Sequence, residues 1–277
     1  MSAPLEPRPA RGQAVAVAVA CAVLVLAGWA LTIRFNREGR WSALYCHGSI
    51  QSLPPEVAVE DVFRFPGTGF DGQYYHLIAH DPFLRRGFDR FVDDPRLRWR
   101  RGLLPVLAYF LALGRDAWID VAYRSLILFS AAFGAYHLAR LLAELGHPPG
   151  WGLAFLAVPG VTASLDRLTG DVVLVALTVM FVRAAIAGRV RALALTLVLA
   201  PLVRETGLLL LGGTFLARAA GGRLRGATPL ALTALPTLAW FAFVHAHTQA
   251  QTYGDVSFVP LQALFAALVD PRPYTGK

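Results

Sequence analysis

Long apolar runs restrict the fold of this chain more than any of its motifs. The first run covers residues 14–33 and is followed by a polar region from about residue 34 to 101. Seven further apolar runs follow at 102–114, 118–142, 151–165, 171–187, 190–203, 206–217 and 227–246. Because 56% of the residues are hydrophobic and 16% are charged, these runs predict an all-α, polytopic helical membrane protein and argue against an ordinary soluble domain.

The charges between the runs set the predicted topology. A spanning helix needs roughly 20 apolar residues, so residues 14–33 suffice, whereas residues 102–114 are too few and are placed at the membrane surface. The other seven runs then span, and the basic segments lie on the same side as the N-terminus: Arg189, Arg191, Arg218, Arg223 and Arg225. This arrangement satisfies the positive-inside rule, which a spanning 102–114 run would violate. We therefore expect about seven transmembrane helices and a cytoplasmic N-terminus.

The predicted domain organisation is a single transmembrane domain over residues 1–277. It comprises the first span at 14–33, an outer loop at 34–117 that contains interfacial amphipathic helices, a helical bundle at 118–246 and an outer-face tail at 247–277. The formal net charge of +8 is attributed to membrane topology and not to nucleic-acid binding, because the arginines lie in short segments between apolar runs. Cys21 lies in an apolar run and Cys46 in a polar loop, so no disulfide is expected.

The stretch GTGFDGQYYHLIAHDPF at residues 67–83 is polar and aromatic in a chain otherwise rich in Ala, Leu and Val. Gly67 and Gly69 favour a turn, and Asp71 follows at a position typical of a helix N-cap, where a carboxylate accepts a backbone N–H. The next residues form an apolar stripe at i, i+3 and i+4 that suits the membrane interface: Tyr74, Leu77 and Ile78. Asp71 is therefore either a cap on an amphipathic loop helix or a chemically active carboxylate.

Two histidines in this stretch, His76 and His80, are four residues apart and can share one helix face. Such a pair can bind a metal ion, although no third ligand lies nearby in the sequence. The segment SLDRLTGD at residues 164–171 places Asp166 and Asp171 between two apolar runs, at the predicted outer edge of the membrane. Charges near the hydrocarbon region often mark function, whereas in a short loop they are simply solvated, and Asp171 is also suited to an N-cap.

A charged pair, Arg204–Glu205, interrupts the apolar sequence LAPLVRETGLLLL at the predicted outer turn of a hairpin. The two side chains either form a local ion pair or bind a charged ligand, and a guanidinium can bind the oxygens of a lipid-linked phosphate bidentately. Arg124, near the outer start of its span, offers the same chemistry. The sequence contains no GxSxG, Walker-type, CxxC or HExxH motif, so hydrolase, NTPase and metalloprotease functions have no motif in their favour.

The order of these features resembles the GT-C superfamily of glycosyltransferases, which use polyprenyl-phosphate-linked sugars. One span precedes a long outer loop with an acidic motif. A short Pro-containing apolar helix (LLPVLAYFLALG), a span with an early arginine (AYRSL), a small polar loop (SLDRLTGD) and a basic hairpin (LVRET) follow. FDGQYYHLIAHDP is similar to the DGQ-tyrosine motif of a bacterial group linked to cell-surface glycopolymer formation, and it loosely resembles the first-loop motif of GPI mannosyltransferases. The resemblance covers about residues 14–220.

The resemblance implies an inverting sugar transfer on the outer face of the membrane. In that mechanism a first-loop carboxylate acts as general base, which makes Asp71 the candidate catalytic residue. The cations expected to stabilise the departing phosphate are Arg204 first and Arg124 second. The other candidate substrate-binding residues contact the sugar, orient the acceptor or belong to the charged hairpin: Gln73, Tyr74, Tyr75, Asp166, Asp171 and Glu205. Asp166 and Asp171 can alternatively hold a divalent cation, and no cofactor is certain.

The resemblance also implies a location and partners. It places the chain in the bacterial cytoplasmic (inner) membrane, where it meets a polyprenyl-phosphate-linked sugar, membrane lipid and a glycan or lipid acceptor. GT-C members commonly have more than seven spans, which leaves room for a membrane-protein partner. The acidic motif is a single Asp–Gly and not a DxD or Asp–Glu pair, which leaves metal dependence open. The alternative function is a non-catalytic membrane component that binds or translocates a polyprenyl-linked glycan.

Overall fold

Helices dominate the computed structural model, which describes residues 8–57, 62–221 and 228–249 together with Val269. The α-helices in chain order are α1 (Arg8–Asn36), α2 (Gly72–His80), α3 (Pro95–Arg100), α4 (Leu103–Leu111), α5 (Asp116–Glu144), α6 (Pro159–Arg167), α7 (Asp171–Ile186), α8 (Val190–Val203), α9 (Leu208–Ala220), α10 (Thr228–Ala231) and α11 (Leu235–His247). Short 3₁₀ helices cover Trp41–Tyr45, Phe88–Phe91, Pro149–Ala157, Glu205–Gly207 and Leu232–Ala234. Within the described residues the strands are the parallel pair β1 (His47–Gly48) and β2 (Arg64–Phe65). The prediction of a mostly helical chain is therefore confirmed.

Two of the described helices, α1 and α5, are long and apolar enough to cross a membrane. Their candidate spans, Arg11–Asn36 and Asp116–Glu144, contain 26 and 29 residues, and each exceeds the roughly 20 residues that a bilayer requires. These two helices are consistent with membrane association. The other predicted spans that lie in the described ranges form shorter helices, among them α8 with 14 residues.

One stripe of α1 packs against the rest of the chain, while its other faces remain apolar and exposed. The buried positions recur every three or four residues, as expected for one helix face: Ala14, Val17, Cys21, Val25, Trp29 and Ile33. Trp29 strengthens this contact because its Nε1 donates a hydrogen bond of 2.8 Å to the carbonyl oxygen of Leu165. Val19, Val23 and Leu31 are exposed on the remaining surface. A helix that is apolar all round is typical of a buried or membrane-spanning helix.

The long helix α5 is the central element and contacts α1, α4 and α7. Small residues let its neighbours approach closely. A Cβ added at Gly134 would lie 2.2 Å from Cζ of Phe155, and one added at Gly152 would lie 2.7 Å from Cβ of Ala139. The N-terminal end of α5 contacts α2, so this helix connects the hydrophobic core to the polar residues of the loop region.

Several apolar runs of the sequence form separate shorter helices. The run at 151–165 divides between a 3₁₀ helix and α6, which begins at Pro159 because proline fits the first turn of a helix but cannot continue a preceding one. The run at 227–246 contains α10, a 3₁₀ turn and most of α11. The hairpin between α8 and α9 turns at residues 204–207, as the sequence predicts.

Some predictions fall partly outside the described ranges. Most of the predicted tail at 247–277 lies there, as do Arg223 and Arg225 of the predicted basic cluster. Cys21 and Cys46 lie inside the described ranges, and both are buried and unpaired, as expected.

The loop region between α1 and α4 folds around α2. Gly67 and Gly69 adopt φ angles of +87° and +73°, which glycine accepts readily, and the predicted turn is confirmed. Gly69 also approaches β1 closely, because a Cβ there would lie 2.4 Å from the carbonyl oxygen of Cys46. All nine residues of α2 are buried. The prediction of an amphipathic surface helix is therefore wrong for α2, because neighbouring elements cover its polar residues as well as its apolar stripe.

Candidate functional site

Polar side chains of the α2 segment reach two cavities that share no lining residue. One cavity of about 520 Å³ is lined by Asp71, Gln73 and Tyr74, together with residues of the following loop. The other cavity, of about 280 Å³, is lined by His76 and His80. We call residues 71 and 73–75 the Asp71 face, and His76 with His80 the histidine face.

The carboxylate of Asp71 is held by an arginine of α3. Arg98 Nη1 lies 2.7 Å from Asp71 Oδ2. The same guanidinium donates two hydrogen bonds to Asp93, from Nε to Oδ1 at 2.9 Å and from Nη2 to Oδ2 at 2.8 Å. Arg98 also lies over the Tyr74 ring, 4.8 Å from its centroid. Burial alone would lower the pKa of Arg98, but the two carboxylates raise it above its ordinary value, so this guanidinium stays charged.

The side chain of Asp71 does not cap α2. Its backbone is already helical, with φ −53° and ψ −30°, whereas a capping side chain requires a non-helical backbone. The carboxylate makes no capping hydrogen bond to this helix. The N–H groups of Tyr74 and Tyr75 donate instead to the carbonyl oxygen of Asp71. The interpretation of Asp71 as a simple N-cap is therefore wrong, and its carboxylate lines the larger cavity.

Gln73 ties two loop segments to α2. Its Oε1 accepts a hydrogen bond of 3.0 Å from the N–H of Gly48, and its Nε2 donates one of 2.7 Å to the carbonyl oxygen of Thr68. The residue is only 1% exposed, so both ends of its amide serve the fold. Gln73 therefore positions the glycine turn beside Asp71, while its expected contact with a sugar stays a prediction.

Tyr75 connects α2 to the α8–α9 hairpin through Arg101, the residue that follows α3. Arg101 Nη1 donates a hydrogen bond of 3.2 Å to the Tyr75 hydroxyl. Arg101 Nε lies 3.1 Å from Glu205 Oε2. Burial raises the pKa of the Tyr75 phenol, although the charge of Arg101 acts in the opposite direction. Two candidate residues far apart in the sequence, Tyr75 and Glu205, thus share one arginine.

Arg204 forms its ion pair with Asp171. Its Nη1 contacts Asp171 Oδ1, and the Thr169 hydroxyl donates a hydrogen bond of 3.1 Å to Asp171 Oδ2. Asp171 is the first residue of α7, where a negative charge interacts favourably with the helix dipole. The alternative of a local Arg204–Glu205 pair is therefore wrong, because α7 packs against α8 and presents Asp171 to Arg204.

Two other candidate residues lie apart from these pairs. Asp166 is exposed on α6 and lies 3.5 Å from Nε of its neighbour Arg167, whose guanidinium covers the Phe70 ring at 4.1 Å. Arg124 contacts the partners of the histidine face, since its Nη1 lies 3.8 Å from Asp120 Oδ2. The structure therefore does not bring Arg124 to the Asp71 face.

The histidine face connects α2 to β1 and α5. His47 Nε2 lies 2.9 Å from His76 Nδ1, and His76 Nε2 lies 2.7 Å from Asp120 Oδ1. One turn along α2, His80 Nδ1 lies 2.7 Å from Asp116 Oδ1. Burial lowers the pKa of His47 well below its ordinary value, and burial also lowers the pKa of His76 although Asp120 opposes it. His47 and His76 are therefore neutral near pH 7.

Asp120 of α5 supplies a third candidate metal ligand beside His76 and His80, which the sequence alone did not indicate. One ligand atom from each of His76, His80 and Asp120 lies within 4.8 Å of the others. Asp120 lies 44 residues after His76 in the sequence, so only the packing of α5 against α2 brings it into reach. These three residues are the described group with the donor types and spacing that a metal ion requires.

Sequence reasoning missed the cationic partners of the Asp71 face and the acidic partners of the histidine face. Arg98 and Arg101 lie three residues apart in PRLRWRR, a spacing at which helical side chains are neighbours. Asp116 and Asp120 lie four residues apart where an apolar run begins. Both spacings are visible in the sequence, but neither identifies the group that each side chain binds.

Comparison of the chain with protein-family models, with curated proteins and with solved structures gave no match in any of the three.

Proposed function

We propose that the chain is a membrane glycosyltransferase that moves a sugar from a polyprenyl-phosphate carrier to a cell-envelope glycan or lipid acceptor on the outer face of the membrane. The observation that supports it most directly is the carboxylate of Asp71, which does not cap its helix and lines a cavity of about 520 Å³. Tyr74 and Asp93 line the same cavity, so an aromatic ring and two carboxylates are available to sugar hydroxyls and ring faces.

Asp71 is the general base in this proposal. Its carboxylate takes the proton of an acceptor hydroxyl, and the hydroxyl oxygen forms the new bond to the anomeric carbon. The bond from that carbon to the carrier phosphate breaks, and the phosphate leaves with the electron pair. Arg98 binds Oδ2 at 2.7 Å, so Oδ1 is the atom proposed to take the proton. General-base catalysis of this kind contributes about 10²–10⁴ in rate.

Arg204 is the proposed cation for the leaving phosphate. Its side chain is 36% exposed and therefore accessible to a ligand, and a guanidinium can bind two phosphate oxygens at once. The hairpin that carries it is connected to the Asp71 face, because Arg101 binds both Glu205 and Tyr75. We do not assign Arg124 to the phosphate, because it contacts Asp120, which lines the other cavity.

The proposal places the chain in the bacterial cytoplasmic (inner) membrane as a multi-pass protein with a cytoplasmic N-terminus. α1 and α5 support this as helices long enough to cross. The remaining five of seven proposed spans are the segment from the 3₁₀ helix at Pro149–Ala157 through α6, together with α7, α8, α9 and α11. At 1.5 Å per residue the 16 residues of α7 cover about 24 Å, so thinning of the bilayer accompanies this arrangement.

A non-catalytic membrane component that binds or translocates a polyprenyl-linked glycan is the second candidate function. The ion pair between Asp71 and Arg98 favours it, because one oxygen of the carboxylate is already occupied, as in a purely structural pair. The two functions differ in how strictly they require the charge at position 71.

The isosteric substitution Asp71→Asn separates the two functions. Sugar transfer is measured in membranes of cells that express the full chain, as radiolabel passing from the lipid carrier to the acceptor, at matched protein levels. If Asp71 is the general base, the Asp71→Asn variant transfers sugar about 10²–10⁴ times more slowly than the wild type. If the chain is a binding component, the variant keeps the wild-type rate. Glu38→Gln is the control, because it removes a carboxylate that is 69% exposed and pairs with Arg40. Wild-type transfer by Asp71→Asn contradicts the assignment of Asp71 as base.

A further inference from the structure

We propose that His76, His80 and Asp120 bind one divalent transition-metal ion of the Zn²⁺ class, beside a cavity that shares no lining residue with the Asp71 cavity. One ligand atom from each residue lies within 4.8 Å of the other two. Two imidazole nitrogens and one carboxylate oxygen form a donor set typical of zinc sites with three protein ligands. This inference does not rest on glycosyl transfer.

His80 carries the strongest indication of a bound ion. Its Nδ1 lies 2.7 Å from Asp116 Oδ1, and among the described residues its buried Nε2 has no hydrogen-bond partner. A neutral ring that donates its Nδ1 proton to Asp116 has a lone pair at Nε2. His80 is only 7% exposed, and a buried ring nitrogen without a partner is unfavourable unless a ligand binds it. This nitrogen lies 3.6 Å from Asp120 Oδ1, so it is directed toward the carboxylate that would share the ion.

His76 has the matching arrangement one turn earlier. Its Nε2 lies 2.7 Å from Asp120 Oδ1, and its Nδ1 lies 2.9 Å from His47 Nε2. When the ion binds, His76 Nδ1 donates its proton to His47, and Nε2 presents its lone pair to the ion. The Tyr45 ring stacks on His76 at 4.0 Å between centroids and holds its orientation. Each histidine therefore has a partner at the ring nitrogen that does not face the ion, as metal-binding histidines almost always do.

The three ligand atoms can come to one ion by side-chain rotation, and the largest movement joins the two imidazoles, whose ligand nitrogens lie within 4.8 Å of each other. Tetrahedral zinc with bonds of about 2.0–2.2 Å separates its ligand atoms by about 3.3 Å. The contact from His76 Nε2 to Asp120 Oδ1, now 2.7 Å, must lengthen, and that from His80 Nε2 to the same oxygen, now 3.6 Å, must shorten. These two changes are about 0.6 Å and about 0.3 Å.

The carboxylates around this cavity outnumber the nearby arginines. Glu56, Asp116 and Asp120 line it, while Arg86 Nη1 lies 2.8 Å from Asp116 Oδ1 and Arg124 Nη1 lies 3.8 Å from Asp120 Oδ2. The cavity has a volume of about 280 Å³ and adjoins the three ligands. It has room for a fourth ligand, either water or the Glu56 carboxylate, as in zinc sites that keep an open position.

Zn²⁺ binding to the purified full-length chain in detergent tests the proposal. The chain carries an affinity tag without histidine and is stripped of metal with a chelator that is then removed. Bound zinc is counted by elemental mass spectrometry, and affinity is measured by competition with a chromophoric chelator near neutral pH. We expect one Zn²⁺ per chain.

Variants locate the bound ion. His80→Gln and Asp120→Asn each remove a ligand and are expected to lower the affinity by at least about 100-fold. Asp116→Asn keeps all three ligands, removes the carboxylate that orients His80 and pairs with Arg86, and is expected to lower the affinity about 10-fold. His147→Gln is the matched control, because this histidine is exposed and lies outside the three-residue group. The variant is expected to bind Zn²⁺ with the wild-type affinity.

Two results overturn the proposal: no Zn²⁺ bound by the wild-type chain, or the same affinity in the wild type and in both ligand variants. If a ligand variant does not fold, Asp116→Asn decides the location, since it keeps all three ligands. Wild-type affinity in Asp116→Asn then contradicts a site built on His80.

Discussion

Asp71 and His76 are little more than one helical turn apart, yet they lie in different electrostatic surroundings. On the Asp71 face a charged arginine, Arg98, binds two carboxylates. On the histidine face a neutral imidazole meets the carboxylate of Asp120. The first face is therefore suited to hydroxyl-bearing groups, whereas the second offers electron-pair donors to a cation. One helix supplies both because His76 and His80, four residues apart, share a helix side, whereas Asp71 and His76, five residues apart, point about 140° away from each other.

The two faces also differ in how a substitution affects them. An ion pair that loses one partner leaves a charge in a partly buried position, whereas a neutral imidazole that loses a partner leaves an unsatisfied hydrogen-bonding group. We therefore expect the largest loss of stability from a change on the Asp71 face. Smaller losses are expected where α2 meets its neighbours and where the hairpin pairs its charges.

Arg98→Gln removes the cation that Asp71 and Asp93 share. Loss of one partner of a buried ion pair costs about 3–5 kcal/mol, and because the Asp71 side chain is 35% exposed we expect about 3 kcal/mol. The free energy of unfolding is measured by denaturant titration in detergent. Arg90→Gln is the control, since this exposed arginine lines the same cavity and is expected to change stability by less than about 0.5 kcal/mol. Equal losses in the two variants contradict a central role for Arg98.

Gly72→Ala tests the close packing of the first residue of α2 against the C-terminal end of α6. A Cβ at Gly72 would lie 2.0 Å from the carbonyl oxygen of Arg167, a backbone atom that cannot rotate away. Overpacking of this kind costs about 1–3 kcal/mol, and we expect about 2 kcal/mol, measured as a lower Tm and a lower free energy of unfolding. At Gly150 a Cβ meets no atom within 4 Å, so Gly150→Ala is expected to stay within about 0.5 kcal/mol of wild type. A Gly72→Ala variant as stable as this control argues against the close approach.

A double-mutant cycle on Arg204→Gln and Asp171→Asn measures the smallest expected effect. The two side chains are 36% and 30% exposed, so solvent screens their ion pair, and we expect a coupling free energy of about 0.5–1 kcal/mol. The matched cycle of Arg204→Gln with Glu205→Gln is expected to give less than about 0.3 kcal/mol, because Glu205 binds Arg101. A larger coupling between Arg204 and Glu205 than between Arg204 and Asp171 would contradict this pairing and support a local ion pair within the hairpin.

Features that depend on sequence neighbours were predictable. Glycines at 67 and 69 indicated a turn because they accept positive φ, and the charged break at 204–205 indicated the turn between α8 and α9. The break at Pro159 was also readable in principle, since proline interrupts a helical run. The burial of α2 was not predictable from the sequence, because its apolar stripe resembles that of a surface helix. Elements distant in sequence cover its other side.

By itself, the sequence determined that the chain is mostly helical, that its first long helix is apolar on every side, and that His76 and His80 share a helix face. Only the tertiary structure decided which groups meet: Asp71 with Arg98, Tyr75 and Glu205 with Arg101, Arg204 with Asp171, and the two histidines with Asp116 and Asp120. The physical reason is that helical periodicity sets the direction of a side chain within its own helix. The group that this side chain contacts depends on how helices distant in sequence pack together and on the free-energy cost of leaving a buried charge unpaired.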